Sequence, residues 1–96
     1  MYRVFRVPPT QAFKIDALLK DNVVSRQSIV VREARTLGIG GEGTIVLIEG
    51  SEQGLAQAET LLEGLTLGSA EAEIAYAKFK TQDEDAATGM GLLFGA

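Results

Sequence analysis

The chain contains neither cysteine nor histidine. Without cysteine there are no disulfides, zinc–thiolate sites, iron–sulfur clusters or thiol nucleophiles. Without histidine the commonest general base, any Ser–His–Asp triad and the favoured transition-metal ligand are gone as well. Catalysis would fall to Asp, Glu, Lys, Arg, Ser, Thr or Tyr, and no motif arranges these for it. The expectation is a protein that is not an enzyme and has no cofactor. Basic charge is also in short supply, with 9 Lys and Arg against 13 Asp and Glu and a net charge of −4. Affinity for nucleic acid comes largely from neutralising phosphates, so a pI near 4.7 disfavours a nucleic-acid partner. Long apolar runs are missing too. No stretch approaches the roughly 20 residues of a membrane span, and the opening MYRVFRVPP, with its two arginines, does not resemble a signal peptide. The expected location is the cytoplasm, with no membrane partner.

What is there is ordinary globular material. The 96 residues are 46% hydrophobic and 23% charged, which matches one folded domain with one core. Tyr2 to Val7 alternates, with Tyr2, Val4 and Arg6 on one face and Arg3, Phe5 and Val7 on the other. Pro8 and Pro9 end that strand, and Thr10 is the expected N-cap of a following helix. Ala12, Ile15, Leu18 and Leu19 supply its apolar stripe, and Asn22 is a suitable exit. Two β-rich stretches, Arg26–Thr36 and Thr44–Glu49, flank a loop containing Gly38, Gly40, Gly41 and Gly43, and together they predict a hairpin. Ser51 then caps a second helix striped by Leu55, Ala58, Leu61, Leu62 and Leu65, with Gly64 and Gly68 at its exit. Gly54 costs up to about 1 kcal/mol inside a helix, which points to close packing there.

Residues 73–88 fit two readings. Ile74, Tyr76 and Lys78 alternate with Ala75, Ala77 and Phe79 as in a strand, while the alanine content also suits a helix. A faint internal repeat, in which Tyr2–Val23 overlays Thr44–Leu65, favours two βα units each followed by a strand. The resulting order resembles the ferredoxin-like βαββαβ sandwich, an α+β fold with a four-stranded antiparallel sheet and two helices on one face. Ile74–Lys80 is then the fourth strand. The expected organisation is a single domain over residues 1–88, including a short acidic segment, and an apolar, glycine-rich tail over residues 89–96.

Three features invite functional readings. The glycine loop lies between two strands and is not followed by a helix or by GK[ST], so it fails the phosphate-loop pattern and reads as a hairpin tip. In the expected fold Ile29, Val31, Ile45 and Leu47 face the helices, leaving Val30, Arg32, Val46 and Ile48 on an open sheet face. Arg6 and Lys78 join that face, giving Arg6, Arg32 and Lys78 as a candidate anion-binding set. Val30, Val46 and Ile48, with Leu92, Leu93 and Phe94 of the tail, form a candidate interface, because a large apolar face needs a cover. Asp83, Glu84 and Asp85 are candidate oxygen ligands for a divalent cation such as Ca²⁺ or Mg²⁺, weighed against a solvated acidic turn. The sequence therefore points to a small interaction, regulatory or accessory protein that acts as a homodimer or with a protein partner. The alternative is a binding module for a small anion or a divalent cation.

Overall fold

The computed structural model describes residues 1–95, with side chains described for residues 1–82. Three strands, β1 (Tyr2–Val7), β2 (Ser28–Glu33) and β3 (Thr44–Glu49), form an antiparallel sheet in the order β1-β3-β2. Three α-helices accompany them: α1 (Phe13–Lys20), α2 (Glu52–Leu61) and α3 (Ser69–Gly95). The protein is a small α+β fold. The hairpin is as the sequence predicts, with Ile29 opposite Ile48 and Val31 opposite Val46. Its tip needs glycine: Gly43 has φ of +103°, and a Cβ there would lie 2.6 Å from the carbonyl oxygen of Val7.

Two core layers sandwich the sheet. On one side Phe5, Val7, Val46 and Ile48 are buried with Leu18, Leu55, Ala58 and Leu62 of the α1/α2 layer. On the other, Val4, Ile45 and Leu47 are buried with Ala72, Ala75 and Phe79 of α3. Both faces of β3 are therefore covered, which explains the unbroken apolar run Ile45–Ile48.

Four expectations are corrected here. Residues 74–80 are helical rather than a fourth strand, and the sheet of the described residues has three. The outer edge of β1 is already occupied: Arg6 N–H donates to Leu65 O at 3.0 Å, and Leu67 N–H donates to Val4 O at 2.9 Å. These bonds flank a single antiparallel bridge between Phe5 and Thr66, so no edge of β1 remains for Ile74–Lys80. The sheet face expected to be open lies under α3. The facing of β3 is also reversed, since Val46 and Ile48 point to α1/α2 and Ile45 and Leu47 point to α3. A run of consecutive apolar residues carries no alternation to fix its facing; the hairpin register decides it.

The fourth correction concerns α1. Pro9–Gln11 forms a 3₁₀ turn, α1 starts after Ala12, and Thr10 is not its cap. At the other end Asp21, rather than Asn22, makes the exit. Asp21 adopts an extended backbone, and its Oδ1 accepts the N–H groups of Val23 at 2.9 Å and Val24 at 3.0 Å. Ser51 caps α2 as expected, with its Oγ accepting Gly54 N–H at 3.1 Å.

Candidate functional site

Several polar side chains join elements of the fold. Arg3, on the α1/α2 side of β1, pairs with Glu59 of α2 at 2.7 Å. Oδ2 of Asp21 accepts the Gln57 amide at 3.0 Å and so ties the end of α1 to α2. The backbone N–H of Val24, with help from Gln57, holds the Asp21 carboxyl below its ordinary pKa. Gln27 bridges the entry of β2 to the start of α2, donating to Val23 O at 3.1 Å and accepting Ser51 N–H at 2.9 Å. No buried polar side-chain atom among the described residues lacks a partner.

A second cluster fastens α3 to the sheet. Tyr76 stacks on Tyr2 with ring centroids 4.2 Å apart. Lys80 lies over the Tyr76 ring and donates to Glu49 at 3.0 Å. That hydrogen bond to Glu49 raises the Lys80 pKa above its ordinary value. The sequence placed both tyrosines and Lys78 near this face but gave no sign that Glu49 and Lys80 would pair. Only the helical spacing of Tyr76 and Lys80, four apart, hints at it.

The candidate anion-binding residues sit on one side of the sheet without converging. Arg6 and Arg32 flank Ile45 in a single cross-strand row, roughly 10 Å apart at ordinary strand spacing. Arg6 donates to Glu42 O in the glycine loop at 3.1 Å, and Arg32 donates to Val31 O at 2.8 Å. Lys78 is half-buried on α3, with its Nζ near Gly38. A surface cleft of 460 Å³ at the base of the loop holds Glu33, Arg35 and Glu42 but none of these three cations. Glu33 and Arg35 pair with each other there at 3.0 Å.

The candidate interface residues separate. Val46 and Ile48 are fully buried beneath α1 and α2 and unavailable to a partner. Val30 is half-buried and packs against the α3 layer. Leu92, Leu93 and Phe94, the tail expectation for residues 89–96, and the candidate metal ligands Asp83, Glu84 and Asp85 lie outside the residues whose side chains are described. Among the described residues no group of three or more His, Cys, Asp or Glu is placed to hold a metal ion, and no helix is long and apolar enough to cross a membrane.

The sequence did not single out the outer edge of β2. In the order β1-β3-β2, this strand has a neighbour on one side only. Ala34 N–H donates to Gly43 O at 3.0 Å in line with the hairpin register. Bonding alternates along an antiparallel ladder, so Ser28, Val30 and Arg32 bond inward to β3. The N–H and C=O groups of Ile29 and Val31 then point outward. Val31 O is covered by its neighbour Arg32, and no backbone bond satisfies Ile29 or Val31 N–H among the described residues. The side chains of Ile29, Val30 and Val31 are each half-buried.

No family model, no curated protein and no solved structure matches the chain.

Proposed function

We propose that the protein is a non-enzymatic interaction or accessory module that works by pairing its free sheet edge with another polypeptide. The observation that carries this reading is the edge of β2. It combines outward N–H groups at Ile29 and Val31 with three half-buried β-branched side chains. Edges of this kind template strand addition. Proteins that must avoid it blunt such edges with charges, proline or a bulge. Ser28–Glu33 has no proline and an unbroken register with β3, and its charges, Arg32 and Glu33, sit together at its C-terminal end beyond Ile29–Val31.

The fold reading belongs to the same proposal: a ferredoxin-like βαββαβ plan whose fourth strand is cut down to the Thr66 bridge. Its support is the antiparallel order β1-β3-β2, with Thr66 antiparallel on the far side of β1. Helix α3 then takes the sheet face that such a plan leaves open.

The competing reading is a binder of small anions or divalent cations. Thermal unfolding with millimolar inorganic phosphate, Mg²⁺ or Ca²⁺ separates the two, because a ligand that binds the folded state raises its melting temperature. The interaction reading predicts an unchanged melting temperature in all three. A rise of several degrees with any of them overturns it.

A further inference from the structure

We propose that the partner at this edge is a second copy of the chain, joined β2 to β2 about a two-fold axis at Val30. This rests on the interaction reading above and deepens it by naming the partner and the register. Two antiparallel copies of one strand place residue i opposite a fixed counterpart, and only a few registers are open. The register centred on Val30 sets Ile29 opposite the partner's Val31, and Val30 opposite the partner's Val30. All three half-buried β-branched residues thus meet β-branched residues, and each sheet face continues without a change of facing. It also places the outward groups of Ile29 and Val31 in two hydrogen-bonded pairs, each exchanging both N–H···O bonds. Arg32 exchanges its contact with Val31 O for a place opposite the partner's Ser28.

The neighbouring registers are worse. Centring on Arg32 opposes two guanidinium groups, and centring on Val31 sets Ile29 against the partner's Glu33. Centring on Ile29 sets Val30 against the partner's Ser28 and Val31 against the partner's Gln27. The strand is self-complementary in one register, which is the requirement for an isologous interface. The product is a continuous six-stranded sheet in the order β1-β3-β2-β2-β3-β1, with the α1/α2 layers on one face and the two α3 helices on the other.

Ser28 and Arg32 test the register directly, because both are exposed and stand opposite each other only across this axis. Sedimentation equilibrium on the full chain reads the dimer dissociation constant. Ser28→Lys sets like charges opposite each other twice and is expected to weaken the dimer about 2- to 30-fold. Ser28→Glu is expected to tighten it by a similar factor, and Ser28→Lys combined with Arg32→Glu to restore it. Glu49 lies opposite Ser28 within the sheet, so melting each variant at a concentration where it is monomeric separates effects on the fold from effects on association. A wild-type chain that stays monomeric at hundreds of micromolar overturns the proposal, leaving a different polypeptide as the partner in the interaction reading. A dimer indifferent to the series, or moved in one direction by both Ser28 variants, overturns the β2 register.

Discussion

At the scale of single residues, the best-defined device is the pair of Gln27 and Gly54. The Gln27 side chain lies where a Cβ on Gly54 would stand, and its amide is held by Val23 O and Ser51 N–H. Gly54→Ala alone gains about 1 kcal/mol of helix preference. It also displaces a side chain whose two hydrogen bonds are worth about 1 kcal/mol each. The expected result is net destabilisation in the native background and net stabilisation in a Gln27→Ala background, measured by urea unfolding of the four proteins. The same sign in both backgrounds would contradict the packing described here. The sequence flagged Gly54 through its cost inside a helix but not its partner, because propensity is local and the contact spans the chain. Asp21 gives a second test. Its lowered pKa means that the folded protein holds this proton less tightly than the unfolded chain. Its contribution is therefore complete above the ordinary value of 3.8 and is lost as pH falls through the lowered one. Asp21→Asn is expected to flatten the fall in stability below about pH 4; an unchanged acid limb would remove Asp21 from the account.

At the scale of elements, α3 separates the two readings of residues 73–88. A strand would put Ala75, Ala77 and Phe79 on one face. The helix buries Ala72, Ala75 and Phe79, half-buries Tyr76 and leaves Ile74 57% exposed. Phe79→Ala is expected to cost about 3–5 kcal/mol in denaturant unfolding, and Ile74→Ser to stay within about 0.5 kcal/mol. Equal losses at the two positions would place the segment differently. The hairpin, the Ser51 cap and the first part of the α2 stripe, Leu55, Ala58 and Leu61, were legible because each is a local pattern. Helix α2 ends at Leu61, and Leu62 and Leu65 lie beyond it. Helical residues 74–80 were read as a strand because alternation and helical spacing coexist in EIAYAKFK. The choice between them depends on whether β1 still has a free edge, and the Thr66 bridge uses that edge. The facing of β3 was lost for a related reason, since Ile45–Ile48 is apolar at every position and buried on both faces.

At the scale of the whole molecule, these corrections move the candidate interface. With α3 over the second sheet face, the apolar surface expected to need a partner is covered by the chain itself, and Val46 and Ile48 belong to the core. Of the sequence-chosen interface residues with described side chains, Val30 alone remains accessible, and it lies at the centre of the edge strand. An edge is a property of strand order, which no residue pattern within Ser28–Glu33 reveals. The most direct measurement is amide hydrogen exchange at Ile29 and Val31 over a concentration series, because among the described residues nothing bonds their N–H groups within one copy, whereas the paired sheet bonds both. The account predicts protection at both amides that rises with protein concentration and disappears on dilution, while Val30 and Arg32, bonded to β3, stay protected throughout. Fast exchange at Ile29 and Val31 at concentrations where the mass is dimeric would contradict it.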